Sequence, residues 1–254
     1  MPNLRLAYGR ETQPVQLPDA FFAGVLEPRL EPEPAEPVAR RIEAALDHPV
    51  GSPPLARLQR GVRRATVVVP DRTRYAAQER YVPVLVRRLC AGGLAPERIT
   101  VLFATGTHRG HTAAERAAMA GDLPDGVELI DHDGADPDGM CDLGTTPGGA
   151  RVAVNRRAVE TDLLVLTGTM SFHYLAGYGG GRKCFAPGVA WHATCLALHR
   201  ATLDGTGNAL RHPACLPGRL EGNPFHAELL AACARAPVRP FLLQTALSPT
   251  GAVL

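Results

Sequence analysis

Residues 65–107 read ATVVVPDRTRYAAQERYVPVLVRRLCAGGLAPERITVLFATGT, and this stretch decides the fold class. Residues 65–69 and Ile99–Ala104 are short apolar runs without polar alternation, which is typical of strands buried on both faces. Between them, Gln78–Ala91 has helical spacing and stops at Gly92-Gly93, a common way to end a helix. A strand, a helix and a strand in this order predict a parallel βαβ unit.

The same alternation extends outward from this unit in both directions. Residues 38–46 are predicted to be a helix, whereas residues 30–37 (LEPEPAEP) are predicted to be extended because repeated proline blocks helix formation. Further strands are predicted at residues 127–130, 163–166 and 241–247, and further helices at residues 112–120, 194–200 and 224–235. Thr112 followed by Glu115 forms a capping-box pattern. We therefore predict an α/β fold: a mainly parallel, Rossmann-like sheet flanked by helices.

Bulk composition excludes several classes of protein. The chain has 254 residues, 45% of them hydrophobic, enough for one large or two small globular domains. A net charge of +2 without a basic block argues against a nucleic-acid partner. No apolar run reaches the roughly 18 residues needed to span a bilayer, and the first ten residues lack the apolar core of a signal peptide. We expect a cytoplasmic protein with no membrane partner.

The six cysteines are predicted to be free thiols. None forms a C-x-x-C pair, and a chain with this many apolar residues does not need disulfides for stability. A zinc site is not expected, because no two cysteines have ligand spacing.

The chain contains a single lysine, Lys183, among 27 basic residues. An amine can lose its proton and form a covalent bond, whereas guanidinium stays charged. A lysine retained in an arginine-rich chain therefore suggests a chemical role, although chance survival on the surface is an equal alternative from composition alone.

Polar clusters follow three of the predicted strands: residues 71–74, 105–109 and 169–183. Ligands of parallel α/β sheets bind beyond the carboxyl ends of the strands. We expect the three clusters to meet at this edge of the sheet and to form an active site there.

The third cluster lies within residues 171–188, SFHYLAGYGGGRKCFAPG. Glycines at 179–181 let backbone N–H groups approach a flat or anionic ligand, and Arg182 could pair with a phosphate. This is not a Walker A loop, because Arg182 and Cys184 stand where that motif requires glycine and a hydroxyl residue. Nor is it a G-x-G-x-x-G loop opening a helix, since Pro187 follows closely. The alternative is a mobile turn.

Histidines and one Asp–Arg pair complete the candidate site. His108 and His173 follow neighbouring strands and could act as acid and base on opposite faces of one carbon, as a racemase requires; alternatively only one is functional. His199 could be a metal ligand or an ordinary helical residue. Arg74 suits a small carboxylate, with Asp71 orienting it or a histidine; alternatively the two form a surface salt bridge.

These segments together resemble lactate racemase and its relatives. The segments that carry the resemblance are Asp71-Arg72-Thr73-Arg74, Thr105-Gly106-Thr107-His108-Arg109, His173 to Lys183, Pro187-Gly188, and the flanking Leu6-Ala7-Tyr8-Gly9 and Glu221-Gly222-Asn223-Pro224. In that family a lysine forms a thioamide with a nickel-pincer nucleotide (pyridinium-3-thioamide-5-thiocarboxylic acid mononucleotide), and Lys183 matches it. The histidine 16 residues downstream, which matches His199, coordinates the nickel.

The resemblance also implies the remaining roles. His108 and His173 match the acid/base pair, and Arg74 and Asp71 match residues near the substrate. Cofactor contacts are implied at Arg182, Gly179, Gly180, Gly181, Thr105, Gly106 and Asn223. One histidine takes the hydroxyl proton of a 2-hydroxy acid while hydride moves to the pyridinium ring, and the 2-oxo acid then takes the hydride back on its other face. Cofactor-maturation enzymes are the implied protein partners.

Two departures from the family pattern stand out. Tyr75 follows Arg74 where proline is usual, so the loop is expected to differ, and Cys184 follows Lys183 where a hydroxyl residue is expected, which suggests an oxidisable site. Residues 1–254 are expected to be the N-terminal, cofactor-binding domain, with a second α/β domain that closes over the substrate missing after Leu254. The alternatives for function are a nucleotide-binding fragment without catalysis and a lysine Schiff-base enzyme.

Overall fold

The computed structural model describes residues 3–9, 11–26, 34–208 and 210–254. The chain divides into two compact units, Met1–Pro32 and Glu33–Leu254. The α/β body predicted for residues 1–254 therefore begins near residue 33, after a separate N-terminal unit. Residues 30–33 of the segment predicted to be extended lie outside the described residues.

Strands and helices of the described residues are numbered in chain order. The strands are β1 (Asn3–Tyr8), β2 (Glu11–Gln16), β3 (Ala65–Pro70), β4 (Ile99–Ala104), β5 (Glu128–Asp131), β6 (Met140–Thr145), β7 (Arg151–Asn155), β8 (Leu163–Thr169), β9 (Phe172–His173), β10 (Gly177–Tyr178) and β11 (Phe241–Thr245). The helices are α1 (Val38–Asp47), α2 (Leu55–Leu58), α3 (Gln78–Ala91), α4 (Ala113–Ala120), α5 (Arg156–Val159), α6 (Arg182–Phe185), α7 (His192–Arg200) and α8 (Pro224–Cys233). Short 3₁₀ turns occupy Asp19–Phe21 and Pro96–Arg98.

The central sheet of the larger unit contains five parallel strands in the order β11-β8-β3-β4-β5. Val67 of β3 is paired with Val101 of β4 on one side and Val165 of β8 on the other. The α/β class and the parallel sheet predicted from the sequence are confirmed. In the smaller unit, β1 and β2 form an antiparallel hairpin.

Both faces of the sheet are buried, which explains why its strands lack polar alternation. Val67 and Val69 of β3 join a core on one face together with Tyr81 and Leu85 of α3, whereas Val68 joins a second core on the other face with Phe185 of α6. Alternate residues of one strand thus enter opposite cores, as the pleat of a strand requires. At about 25 cal/mol per Å² of buried apolar surface, these two cores supply the main driving force for folding.

Most of the predicted elements form close to their predicted bounds. The capping box of Thr112 and Glu115 is present at the start of α4. The short strands β6, β7, β9 and β10, which form two antiparallel hairpins, were not predicted. The one-turn helix α6 directly after Gly181 corrects the prediction that Pro187 leaves no room for a helix there.

The direction of the chain connections reverses between the carboxyl ends of β3 and β8. After β3 the chain turns to α3 on one face, and after β8 it turns to α6 and α7 on the other, because residues of α3 lie in the first core and residues of α6 and α7 in the second. A reversal of this kind opens the ligand-binding crevice of doubly wound sheets. The clusters at residues 71–74 and 169–183 start at its two sides.

Two further observations concern the chain as a whole. No helix among the described residues combines the length and the apolar character that a membrane crossing needs. All six cysteines are free, as predicted, and Cys184, Cys195 and Cys215 are buried.

Candidate active site

Asp71 and His108 form a hydrogen-bonded pair at the ends of β3 and β4. Oδ2 of Asp71 lies 2.6 Å from Nδ1 of His108, and the Asp71 side chain is 3% exposed whereas that of His108 is 47% exposed. The hydroxyl of Thr73 donates to Oδ1 of Asp71 at 2.8 Å. Because a carboxylate accepts hydrogen bonds, Nδ1 of His108 donates to it, and in the neutral imidazole Nε2 then keeps its lone pair. The geometry prepares His108 to accept a proton at Nε2.

A second histidine holds the backbone of this loop. The N–H of Arg72 donates to Nε2 of His111 at 3.2 Å, and Nδ1 of His111 lies 2.6 Å from Oδ1 of Asp131. Arg116 donates to Oδ2 of the same carboxylate at 2.9 Å. His111 was not predicted to belong to the site, and its only sequence signal is its position three residues after His108. It positions the loop that carries Asp71.

Arg74 stands at the site with a free guanidinium. The side chain is exposed, and it has no carboxylate partner in the described part of the chain. The alternative of a surface salt bridge with Asp71 is wrong, because Asp71 is paired with His108. The charge of Arg74 contributes to lowering the pKa of both Lys183 and His173, so these groups lie within electrostatic range of one another. A free arginine beside buried groups suits an anionic ligand.

His173 ends β9 and is held by the turn of the β9–β10 hairpin. Its Nδ1 accepts the N–H groups of Leu175 and Ala176 at 3.2 and 3.1 Å. Burial, and after it the charges of Lys183 and Arg74, lower its pKa from 6.5 to about 4. His173 is therefore neutral at pH 7, with its proton on Nε2.

The glycine loop makes close backbone contacts. Gly180 has φ +73°, and a Cβ there would overlap Oε1 of Gln244 and lie 2.9 Å from the carbonyl oxygen of Thr169. The N–H of Gly181 donates to Oε1 of Gln244 at 2.8 Å. The glycines thus let the loop pack against β8 and β11 and deliver Lys183 at the first turn of α6.

Lys183 is mostly buried and has a perturbed amine. Burial, and after it the charges of Arg182 and Arg74, lower its pKa from 10.5 to about 8. Nζ lies 5.3 Å from the centre of the Phe225 ring. A lowered pKa leaves a useful fraction of neutral amine near pH 7 to 8, which is the nucleophilic form.

His199 lies beside the same aromatic ring, with its ring centre 4.8 Å from that of Phe225. Nδ1 donates to the carbonyl oxygen of Cys195 at 2.7 Å, which leaves the lone pair of Nε2 free. Burial lowers the pKa of His199, so the ring is neutral at pH 7. Metal-binding histidines commonly have their second nitrogen fixed to a carbonyl in this way. Phe225, which is fully buried, was not predicted from the sequence.

The described residues contain no group of three or more His, Cys, Asp or Glu side chains able to hold a metal ion. The described His, Cys, Asp and Glu side chains would therefore supply at most two ligands to a metal at His199.

Four predicted cofactor contacts are engaged in other ways. Asn223 is buried at the start of α8, accepts the N–H of His226 and donates to the carbonyl oxygen of Leu175 at 2.8 Å. The hydroxyl of Thr105 donates to the carbonyl oxygen of His132 at 2.5 Å, and the N–H of Gly106 to that of Gly188 at 2.9 Å. These bonds hold the scaffold together and leave the two side chains no free polar group for a ligand.

Arg182 is the fourth predicted cofactor contact that is engaged within the fold. One of its terminal nitrogens donates to the carbonyl oxygens of Ala176 and Tyr178 at 3.0 and 3.3 Å, which ties α6 to the β9–β10 hairpin. Its buried Nε has no partner among the described atoms. The guanidinium thus braces the hairpin that carries His173, and the predicted phosphate contact stays a prediction.

The expectation that Cys184 is oxidisable is wrong for its observed environment. Its Sγ donates to the carbonyl oxygen of Thr167 at 2.8 Å, and burial raises its pKa to about 12. A protonated, buried thiol is a poor nucleophile. Tyr75, the other departure, is exposed and donates to Glu79, and the loop containing it still brings Asp71 to His108.

The site thus combines a proton acceptor, a neutral proton-bearing histidine, a free guanidinium, a partly neutral amine and an imidazole ready for a metal. Gly179 lies near Ser171, where a Cβ would come within 3.1 Å of its Oγ. A small carboxylate with a hydroxyl group would find complementary partners in Arg74 and His108.

Comparisons with known proteins point to one family. A family model described as the lactate racemase N-terminal domain matches residues 8–210. Lactate racemase from Thermoanaerobacterium thermosaccharolyticum is 31% identical over 241 residues, and lactate racemase from Lactiplantibacillus plantarum is 32% identical over 239 residues. Each match covers 93% of this chain and 54% of the relative. The chain spans about half the length of the curated relatives it matches.

Solved structures agree with the observed fold. The lactate racemase apoprotein from Thermoanaerobacterium thermosaccharolyticum superposes with a TM-score of 0.83 at 29% identity, over 100% of this chain and 58% of that one. A protein from Thermotoga maritima superposes with a TM-score of 0.64 at 21% identity, over 85% of this chain and 52% of that one. The second likeness concerns the fold alone.

Proposed function

The chain belongs to the lactate racemase N-terminal domain family, and we propose that it is the cofactor-holding part of a nickel-dependent racemase of a 2-hydroxy acid. Because its relatives are nearly twice as long, we also propose that a second α/β domain completes the substrate site. The six free cysteines suit a reducing compartment, so we propose a cytoplasmic location.

The observation that carries the proposal is the placement of Lys183. Its amine is the single lysine amine of the chain, has a pKa lowered to about 8 and contacts the ring that His199 also contacts. A covalent anchor and a metal-ligating imidazole are the two groups that a tethered nickel-pincer nucleotide requires. The fit is good, because the amine is partly neutral and Nε2 of His199 is free.

In this proposal the nickel-pincer nucleotide, when bound, supplies the hydride acceptor. The chain's own residues do the rest. The free guanidinium of Arg74 binds the carboxylate of the substrate, and Nε2 of His108 receives the hydroxyl proton while Asp71 fixes its tautomer. His173 contacts the substrate oxygen from the hairpin. Cofactor-maturation enzymes are the proposed partners that load Lys183.

A lysine Schiff-base enzyme remains the second candidate, and one observation favours it: a buried lysine with a lowered pKa is also what a carbonyl substrate needs. This candidate leaves the free Nε2 of His199 without a role.

Mass spectrometry separates the two functions. Protein co-expressed with the cofactor-making enzymes should carry a nucleotide-sized adduct on the peptide containing Lys183, together with nickel. The Lys183→Arg variant should carry neither. Borohydride trapping of a carbonyl substrate at Lys183 in nickel-free protein would instead support the Schiff-base candidate.

Nickel content tests the role of His199. His199→Ala should lower the nickel-to-protein ratio, while His192→Ala, at the other end of α7, should leave it unchanged. Chiral chromatography of a panel of 2-hydroxy acids, with the full-length loaded protein, then tests racemization. An unchanged nickel content in His199→Ala, or racemization by full-length Lys183→Arg protein, would contradict the proposal.

A further inference from the structure

Residues 71–74 form a turn between β3 and α3 that is closed by its own hydrogen bonds. The N–H of Arg74 donates to the carbonyl oxygen of Asp71 at 3.0 Å. The hydroxyl of Thr73 donates to Oδ1 of the Asp71 side chain at 2.8 Å. These bonds fix the shape of the Asp71–Arg74 turn, but they do not fix its position at the end of the sheet.

His111 holds the first half of this turn from β5. Its side chain is 0% exposed, and its Nε2 accepts the N–H of Arg72 at 3.2 Å. Because a backbone N–H only donates, Nε2 carries no proton, and Nδ1–H donates to Oδ1 of Asp131 at 2.6 Å. The N–H of His111 donates to Oδ2 of the same carboxylate at 2.8 Å. A continuous chain of hydrogen bonds thus runs from the end of β5 to the backbone of the turn.

Gln78 holds the turn from the other side, at the start of α3. It is 3% exposed, and its Nε2 donates to the carbonyl oxygens of Pro70 and Arg74, each at 3.3 Å. Its Oε1 accepts the N–H of Ala76 at 2.9 Å. These three bonds of the buried amide all go to the backbone of residues 70–76. Gln78 therefore ties the residue before the turn to the last residue of the turn.

The residue before Gln78 has a strained backbone. Ala77 is buried and has φ +58°, and among the residues that the structure describes it is the one residue other than glycine with a positive φ. A residue with a Cβ enters this region at a cost in energy, which persists only where the surrounding structure over-determines the backbone. Such strain is concentrated at functional sites. A connection that only had to join β3 to α3 would not require it.

We propose that His111 and Gln78 are positioning residues, which together form a two-sided clamp on the backbone of the Asp71–Arg74 turn. The clamp keeps the Asp71 carboxylate against His108 and keeps Arg74 at the site. Its effect on catalysis rests on the proposed racemase function, whereas the clamp itself does not.

The chemistry of the turn explains why its position matters. Oδ2 of Asp71 lies 2.6 Å from Nδ1 of His108, and so short a bond is lost when the turn moves by about 1 Å. Arg74 follows three residues later on the same turn, so a displacement moves both groups together. Loss of the clamp should therefore affect substrate binding as well as the proton transfer.

Two substitutions of His111 separate the bond to the turn from the bond to β5. His111→Asn places an amide N–H near the position of Nδ1 and keeps the donor to Asp131, but it loses the acceptor for the N–H of Arg72. His111→Gln places an amide oxygen near the position of Nε2 and keeps that acceptor, but it loses the donor to Asp131. The two variants are matched in chemistry and differ in which end of the imidazole they replace.

Amide hydrogen exchange of the ¹⁵N-labelled chain tests the clamp without cofactor. The N–H of Arg72 should exchange about tenfold faster in His111→Asn than in the wild type, and within about threefold of the wild-type rate in His111→Gln. The amides of β4 report global unfolding. Equal acceleration at Arg72 in both variants, or acceleration at Arg72 no greater than that in β4, would overturn the proposal.

Steady-state kinetics of the full-length loaded protein test the effect on the site. Gln78→Glu keeps an acceptor for Ala76 but loses the donors to the two carbonyl oxygens. In this variant and in His111→Asn, KM for the 2-hydroxy acid should rise about tenfold and kcat should fall about tenfold, with smaller changes in His111→Gln. His48→Asn and Gln16→Glu, at exposed positions, are the matched controls and should leave both constants unchanged.

The split between KM and kcat distinguishes positioning from stability. A role in stability alone would lower kcat in proportion to the folded fraction and leave KM unchanged, and this result in His111→Asn and Gln78→Glu would overturn the proposal. If the loaded wild type racemizes no 2-hydroxy acid, the proposed function fails, while the exchange rates at Arg72 still decide whether the clamp exists.

Discussion

The amine of Lys183 lies over the face of the Phe225 ring, with Nζ 5.3 Å from the ring centre, in a site largely closed to water. Two effects on the amine oppose each other here. The π face favours the ammonium by about 0.5–2 kcal/mol, whereas burial and the neighbouring arginines disfavour it. A pKa lowered from 10.5 to about 8 corresponds to roughly 3 kcal/mol. Desolvation therefore dominates, and the amine is partly neutral at physiological pH.

Reactivity of Lys183 toward 1-fluoro-2,4-dinitrobenzene should follow this lowered pKa. The rate of arylation should rise with pH and level off just above pH 8, because only the neutral amine attacks the aryl carbon and displaces fluoride. Since Lys183 is the single lysine, mass spectrometry of the peptide that contains it reads the rate without ambiguity. The same chain unfolded in guanidinium chloride is the control, and its rate should keep rising to above pH 10. A folded-state rate that still rises tenfold per pH unit between 9 and 10 would contradict the lowered pKa.

Lys183→Met should stabilise the fold at pH 7 by about 2–3 kcal/mol, because it removes a buried charge and keeps an apolar side chain of similar length. The sign follows from linkage. The folded pKa, about 8, lies below the unfolded value of 10.5, so the cost of the charge is full below pH 8 and disappears as pH rises to 10.5.

Urea unfolding of both proteins at pH 7, 9 and 10.5 measures the difference. The excess free energy of unfolding of Lys183→Met over the wild type should shrink steadily over this range. Lys183→Arg is the matched control, because the guanidinium stays charged over this range. Its free energy of unfolding should therefore fall further below that of the wild type as the pH rises. A Met variant that is less stable than the wild type at pH 7 would show that the ammonium is favoured in the fold.

Asp71→Asn should lower kcat of the full-length loaded protein on the order of 10³–10⁴-fold, with a much smaller change in KM. An amide can donate to Nδ1 of His108 and so allow the tautomer in which Nε2 carries the proton and cannot act as a base. Chiral chromatography gives the rate. Asp142→Asn, which alters a surface carboxylate paired with Arg151, is the control. Equal rates in the two variants would remove Asp71 from the site.

The fold was predictable because its strands are buried on both faces. Runs such as residues 65–69 and 163–166 have few other structural solutions when helices alternate with them. The hairpin of β6 and β7 was not predictable, since Met140–Thr145 contains an aspartate and a glycine and alternates poorly. Its stability comes from packing of Val152 and Val154 against the second core, which is a long-range property.

Sequence reasoning named candidate site residues but did not give the direction in which their side chains point. Lys183 and Arg74 lie in the polar clusters that follow β8 and β3, whereas His199 lies in α7. Asn223 lies in a segment that resembles the family, yet its amide bonds to Leu175, 48 residues away in the sequence. No local pattern distinguishes an asparagine that faces a ligand from one that faces the backbone. The same holds for the orientation of His173, which depends on a two-residue strand.

Gly180→Ala should destabilise the fold by about 2–3 kcal/mol, because a Cβ would overlap Oε1 of Gln244 at a residue with φ +73°. Displacing Gln244 also removes its hydrogen bond with the N–H of Gly181, 2.8 Å in length. Gly61→Ala separates the steric overlap from the backbone strain, because Gly61 has φ +74° and open space around it. This substitution should lower the free energy of unfolding only by the strain, about 1 kcal/mol.

Urea unfolding of these variants tests the close approach of the loop to β11. Gly179→Ala is a further control, because Gly179 is a neighbour that lacks a positive φ. Gly180→Ala should also move the pH midpoint of Lys183 arylation upward, because the N–H of Lys183 donates to the carbonyl oxygen of Gly180 at 3.1 Å and a displaced loop admits water to the amine. Gly61→Ala should leave that midpoint at about pH 8. If Gly180→Ala costs no more than Gly61→Ala and leaves the midpoint unchanged, the contact with Gln244 does not hold the lysine in place.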